Sequence, residues 1–454
     1  MAFILYDLET SGLNKRFDQI LQFAAVRTDA DLNETHRFET KSRLMPHVIP
    51  SPQALLVTRH TLADVDSPSR QSHYSMVCEV ANVLTSWCPA TFLGYNSIRF
   101  DEEFLRQAFY QCLHPIFLTN TNGNARADVL NLMRAATTLH PSVLRSGLEP
   151  DGRPTHRLGA MAAANGIITR AFHDAEADVD AMLGLCRLAR AGAPDLWSTF
   201  LRFSSKAAVI DFVRDENAFA YFDYFGRPQV MHFLTRVGVN PNDANSHYCL
   251  DLVSDIDTLR KLDDEELSRR LTQEPLPVRR LKVNASPLLY PLWDIDADRF
   301  ADFTEDELTR RAASVRADPE FMSALSRAAT STAPTYPAAE HVEQQIYGGR
   351  FISDADSEFA RQFHGLPWQD RIEIARRFQD GRLRRLARRL IFFESAHVLD
   401  DKERRLILDD ITARRRGEGR YAAPPWTTIP KALAELDNME GKLADALRKE
   451  FLAL

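Results

Sequence analysis

The chain has 454 residues, 44% of them hydrophobic and 26% charged, with a formal net charge of -7. That is the balance of a globular protein with room for two or three cores, and the acidic total leaves nucleic-acid binding open, because a local basic groove decides it. Cys78, Cys88, Cys112, Cys186 and Cys249 are scattered without a CxxC pair, no stretch reaches about eighteen uninterrupted apolar residues, and the first residues carry no basic region followed by a long apolar stretch. These absences argue against a disulfide framework, a zinc site, a membrane span and a secretory leader, so a reducing cytoplasm is expected.

The opening apolar run, Phe3 to Tyr6, leads into Asp7 and Glu9 and stops at Gly12, which reads as a buried strand. Ile20 to Thr28 and His36 to Lys41 follow as two more strands, so the first elements form an antiparallel meander. Helices are expected over Gln53 to Arg59 and Ser72 to Trp87, a short strand over Thr91 to Tyr95, then helices over Phe100 to Cys112, Ala127 to Leu139, Arg157 to Asn165 and Asp174 to Arg190. Strands followed by alternating strand and helix give an α/β layer with a mixed sheet, ending near residue 192.

The texture then changes. Ala218 to Phe225, Val230 to Val239 and Ser246 to Val253 read as strands of a small β-barrel or sandwich. Helices intervene at Asp263 to Leu271 and Thr304 to Val315, the latter opening on a Thr304-x-x-Glu307 capping box. From about 348 the pattern is helical, with Leu383, Leu386, Leu390 and Phe393 at helical spacing and a second long helix over Lys431 to Leu452. The expected domains are therefore 1–192, 193–347 and 348–454.

Three stretches carry groups suited to one chemistry. Asp7 and Glu9, two apart on a strand, point the same way. Asp101 follows the TFL strand and the stretch Gly94-Tyr95-Asn96-Ser97-Ile98-Arg99-Phe100. Asp174 and Asp178 share a helix face, with His173 in the loop before them. Taken singly, each has an ordinary explanation: solvated acids at a strand end, an acid at a helix N-terminus, an N-capping Asp beside an exposed His. Taken together, Asp7, Glu9, Asp101 and Asp178 are enough carboxylates to hold a pair of hard divalent ions, and His173 is the type of residue that deprotonates an attacking water. Such a pair suits phosphodiester hydrolysis.

The early DLETSG, the middle NSIRFD and the late HDAEAD, with His five residues before the last Asp, resemble the DEDDh 3′→5′ exonucleases. QFAAVRTD, GYNSIRFDEEF, RLGAMAAANGI, FHDAEADVDA and YGGRFISDAD extend the likeness to the exonuclease I family along the whole chain. The resemblance implies a ribonuclease H-like exonuclease domain, an SH3-like β-barrel domain and an α-helical C-terminal domain. It also implies stepwise release of 5′-mononucleotides from the 3′ end of single-stranded DNA, with two Mg²⁺ ions for which Mn²⁺ substitutes, in DNA repair and recombination. Asp7, Glu9, Asp101 and Asp178 would be metal ligands, Glu9 would also meet the terminal nucleotide, and His173 would be the general base. Arg157, and further along the strand path Arg106, Arg134 and Lys206, would contact substrate. The implied partner is the acidic tail of single-stranded-DNA-binding protein, with a monomer acting in the cytoplasm at the nucleoid. Leu8 and Ser11 depart from the family's aromatic-rich version of the first motif, which bears on packing of the terminal base.

Two other readings compete. A 3′→5′ exoribonuclease of the same superfamily would use the same acids, but those relatives are much shorter. A non-catalytic DNA-binding scaffold would be expected to lack one of the acids, and none is missing. The arginine run Arg376, Arg377, Arg382, Arg384, Arg385, Arg388, Arg389 and Arg414 to Arg416 reads as a solvated helix face, with DNA contact or docking of an acidic tail as alternatives.

Overall fold

The computed structural model describes residues 2–168, 174–223, 230–300, 302–333 and 339–454. Packing divides the chain into two compact units. The first combines Met1–Asn124, Ile167–Leu183 and Ala338–Leu454, and the second combines Ala125–Gly166 and Gly184–Pro337. The helical C-terminal segment thus shares one unit with the opening strands.

In the first unit, β1 (Phe3–Thr10), β2 (Ile20–Thr28), β3 (Glu34–Lys41) and β4 (Thr91–Gly94) lie in the order β3-β2-β1-β4. The meander is antiparallel, while β4 joins β1 in parallel, so the sheet is mixed. β1 alternates as its sequence demands. Ile4, Tyr6 and Leu8 enter a core with Phe23, Phe92 and the helix His73–Trp87, which leaves Asp7 and Glu9 on the opposite face. The same core takes Phe363, Phe378, Leu383, Leu386 and Leu390 from the C-terminal helices Asp354–Gly365, Trp368–Arg377 and Gly381–Ser395. The apolar stripe of those helices is therefore matched by the back of this sheet.

Several boundaries follow from capping chemistry. The Ser72 hydroxyl accepts from the Ser75 amide and starts its helix, and Asp263 and Glu266 make a reciprocal capping box. Thr304 caps through its hydroxyl on the Glu307 amide. The helix expected from Ala127 begins instead at Val129, because Ala125–Asp128 is extended and Asp128 caps it. The single helix expected over Lys431 to Leu452 is two, Ile429–Leu436 and Lys442–Leu452. Gly441 breaks it with φ +117°, a conformation that side-chain-bearing residues avoid.

The second unit holds a five-stranded antiparallel sheet of Val278–Lys282, Asp243–Asp251, Val230–Asn240, Phe219–Asp223 and Leu289–Pro291, in that spatial order. The aromatic stretch feeds its core through Phe219, which is fully buried with Phe203, Phe212 and Leu234. Tyr224 and Phe225 lie outside the described residues. Helices Pro194–Arg202 and Lys206–Asp215 precede the sheet where sequence spacing gave no clear element.

Candidate active site

The site grows from an irregularity in β1. Glu9 pairs with Gln22 and Thr10 with Ile20, so a bulge falls directly after Glu9 and ends the regular ladder. Ser11 then turns inward. Its hydroxyl donates to Asp18 Oδ1 at 2.9 Å and accepts from the Gln19 amide at 3.0 Å, which pins the loop that leaves the strand.

Asp178, near the start of the helix Ala175–Gly192, meets β1 from the other side. Ligand oxygens of Asp7, Glu9 and Asp178 all lie within 4.8 Å of one another. Asp101 begins the helix Asp101–Gln111, is 4% exposed, and exerts the largest of the neighbouring charges on Asp7. The approach to it is tight: a Cβ on Gly94 would collide with Ser97 and press on the Tyr6 carbonyl, and Asn96 takes a left-handed turn at φ 60°. These requirements explain the spelling of the GYNS loop.

Crowded carboxylates resist ionisation. Burial and then the charges of Asp178 and Asp174 push Glu9 up to about 7. Burial and Asp174 push Asp178 up to about 6. Asp7 is driven well above the carboxylate range by burial and by Asp101, Asp178, Glu9 and Asp174, in that order. An oxygen-only donor set that is unwelcoming to its own charge suits a hard divalent cation, which removes the repulsion and keeps the acids ionised.

Asp174 is a member of this group that residue-by-residue reading treated as a cap alone. It does cap, accepting from the Glu176 amide at 3.2 Å, but its other oxygen accepts from Gln22 Nε2, also at 3.2 Å. Gln22 donates to Glu39 as well, at 2.9 Å, so a residue opposite Glu9 on β2 links the sheet to the helix carrying Asp178. The i,i+4 pairing of Asp174 with Asp178 was the signal available in the sequence.

The other expected residues are placed as follows. His173 lies outside the described residues. Arg106 belongs to the same unit as the acids but is buried. It gives Nε to Glu102 at 2.8 Å and reaches Asn120 at 3.1 Å and Tyr347 at 3.3 Å. Arg157, Arg134 and Lys206 belong to the second unit. Arg157 is exposed and pairs with Glu149 at 3.2 Å, and Lys206 opens a helix. Leu8 is in the core and Ser11 is fully buried on Asp18, so both departures from the aromatic motif are occupied by packing of the strand and its loop.

The solvated-face reading of the arginine run fails for part of it. Arg389 and Arg414 converge on Glu343 at 2.6 and 2.8 Å, and Arg382 is held by Asp380 and by the carbonyls of Gln345, Gly348 and Arg350. Among the described residues no helix is long and apolar enough to cross a membrane.

Comparison with known proteins adds three findings. The Exonuclease family model matches residues 4–185. Exodeoxyribonuclease I of Haemophilus influenzae is 28% identical over 412 residues, 84% of either chain, and that of Escherichia coli is 29% identical over 375 residues, 78% of this chain and 77% of that one. Among solved structures, exonuclease I from Methylocaldum szegediense and Escherichia coli exonuclease I in complex with a dA16 oligonucleotide each superpose with a TM-score of 0.86 at 23% identity, covering 100% of this chain and 98% of the other. A zinc-ion-bound form of the Escherichia coli exonuclease I complex with single-stranded DNA superposes with a TM-score of 0.85. Residues 4–185 form an exonuclease domain, and the chain is a nuclease that has the fold of exonuclease I.

Proposed function

We propose that this chain is a 3′→5′ exodeoxyribonuclease specific for single-stranded DNA, releasing 5′-mononucleotides in DNA repair and recombination. The observation that carries the reading is the convergence of Asp7, Glu9 and Asp178 oxygens within 4.8 Å, with Asp101 beside them. Two Mg²⁺ ions, with Mn²⁺ as substitute, fit this donor set. When bound they would supply a polarised water and stabilise the attacking and leaving oxygens.

The chain's own residues do the rest. Asp7, Glu9, Asp101 and Asp178 bind and orient. Glu9, on the bulged end of β1, is also the acid assigned to the terminal nucleotide. His173 takes the proton of the attacking water. Asp174 and Gln22 position the acids rather than touch the reacting atoms. Arg157, Arg106, Arg134 and Lys206 are assigned to contacts with the strand. The preference for a single DNA strand rests on what the similar proteins are named for and have been seen to bind. A monomer that engages the acidic tail of single-stranded-DNA-binding protein, in the cytoplasm and at the nucleoid, completes the reading.

The test uses 3′-labelled oligonucleotides of DNA and RNA, single- and double-stranded, with Mg²⁺ and with chelator. Mononucleotide release should be confined to single-stranded DNA with Mg²⁺. Faster release from RNA would overturn the assignment. His173→Ala should lose rate while keeping metal binding, and an unchanged rate would remove His173 as the base.

A further inference from the structure

We propose that Cys78, His114 and His364 form a second metal site, distinct from the carboxylate cluster, that takes a borderline-soft divalent ion of the zinc class. Cys78 Sγ lies 3.4 Å from His114 Nε2 and 3.9 Å from His364 Nδ1, and the three ligand atoms all fall within 4.8 Å of one another. With zinc–sulfur and zinc–nitrogen bonds of about 2.3 and 2.0 Å, a tetrahedral ion sets sulfur and nitrogen roughly 3.5 Å apart. The two observed separations straddle that value. One thiol with two imidazoles is a donor set that discriminates against Mg²⁺ and favours zinc-class ions.

A second observation points the same way. His364 Nε2 lies 3.3 Å from the Leu113 carbonyl, so that nitrogen carries the proton and Nδ1 presents its lone pair toward Cys78. A ligating histidine whose far nitrogen is fixed by a backbone carbonyl is the usual outer support of a metal site. The same lone pair accepts from the Tyr74 hydroxyl at 2.9 Å, and that hydroxyl accepts from Arg371 at 2.7 Å. An ion would take the place of this hydrogen bond, with Tyr74 or water completing its coordination. The two imidazole rings stack at 4.0 Å with 12° between planes. Parallel rings cannot both aim in-plane lone pairs at one point, so loading requires one to turn. His364 is tethered by Leu113, which makes His114 the ring that turns.

The site joins three separate parts of one unit. Cys78 is on the helix His73–Trp87, His114 follows the helix Asp101–Gln111, and His364 is near the end of Asp354–Gly365. An ion there would tie the C-terminal helices to the exonuclease fold, a structural role separate from hydrolysis. The absence of a CxxC pair says nothing against it, because the ligands are 36 and 286 residues apart in the chain.

Cobalt(II) added to the chelator-stripped full chain tests the site. One equivalent should give a thiolate-to-cobalt charge-transfer band, which carboxylate oxygens cannot produce, and added Zn²⁺ should bleach it. Cys78→Ser should abolish the band, His364→Gln should weaken cobalt binding at least ~10-fold, and Asp178→Asn should leave it intact. Mg²⁺-dependent nuclease activity of Cys78→Ser should match that of the parent, which also reports that the variant has folded. If Cys78→Ser fails to fold, alkylation of the native protein's thiols replaces it and should remove the band. No band in the parent chain, or one that survives loss of the Cys78 thiol, would overturn the proposal.

Discussion

Neutralising one acid of the cluster should make the metal-free protein more stable while disabling it. Asp178→Asn removes a carboxylate whose pKa is raised from 3.8 to about 6, by burial and then by Asp174. At about 1.4 kcal/mol per unit, this amounts to roughly 3 kcal/mol that the ionised form costs the fold. The sign follows from proton binding. The native state holds this proton more tightly than the unfolded chain, so its contribution is fully present below pH 3.8 and is lost as pH rises through about 6. Asparagine carries no such dependence. The variant and parent should therefore melt alike near pH 4 and diverge by pH 8, the variant melting several degrees higher in chelator. Glu9, raised to about 7 in the parent by burial and by Asp178 and Asp174, loses the Asp178 contribution in the variant, which widens the gap at high pH. Saturating Mg²⁺ should reverse the order, since an ion at 100 times its Kd contributes about 2.7 kcal/mol to the parent and less to a site missing one ligand. Nuclease activity should fall by at least ~100-fold. Scanning fluorimetry across pH 4–8, with chelator and with Mg²⁺, provides the measurement. A variant that melts at or below the parent in chelator at pH 8, or a gap that persists at pH 4, would refute the reasoning.

Other expectations are local. Glu343→Gln leaves Arg389 and Arg414 buried beside a neutral group and should cost about 3–5 kcal/mol in urea unfolding. The two guanidiniums hold the Glu343 carboxyl well below its ordinary range despite burial, so its contribution is present above about pH 4.5 and fades only in stronger acid. Gly94→Ala should lower activity through the loop that carries Asp101, at about 1–3 kcal/mol of strain, and Ser97→Gly in the same chain should restore much of it. Ser11→Ala removes a donor to Asp18 and an acceptor for the Gln19 amide. It should cost about 1–3 kcal/mol by thermal melting, and Ser11→Cys should not recover it.

What could be read from the sequence was whatever local spacing encodes. A continuous apolar run gave β1, period-3.6 stripes gave the helix His73–Trp87 and the helix Gly381–Ser395, and short motifs gave Asp7, Glu9 and Asp178, now within reach of one another, with Asp101 beside them. Less visible was what distance in the chain hides. Arg389 and Arg414 look like surface charge until Glu343, far from both in sequence, is found between them. Cys78 and His364 show no spacing signal because the whole of the second unit, with a strand and several helices besides, separates them in the chain. Asp174 was visible as a cap, but its reach to Gln22 required the register that sets Gln22 opposite Glu9. The break at Gly441 was masked by apolar stripes that continue on both sides of it.

The core behind β1 has a consequence for synthesis. Ile4, Tyr6 and Leu8 are made well before part of the wall they pack against, Phe363, Leu386 and Leu390. Until those residues have been made, the strand that bears Asp7 and Glu9 has an unsealed apolar back, and contacts this distant in sequence form late. A nascent chain holding all of its acids is thus still short of a finished active site. A chain cut before the C-terminal helices should therefore be a poor nuclease, because the strand bearing Asp7 and Glu9 would lack part of its backing.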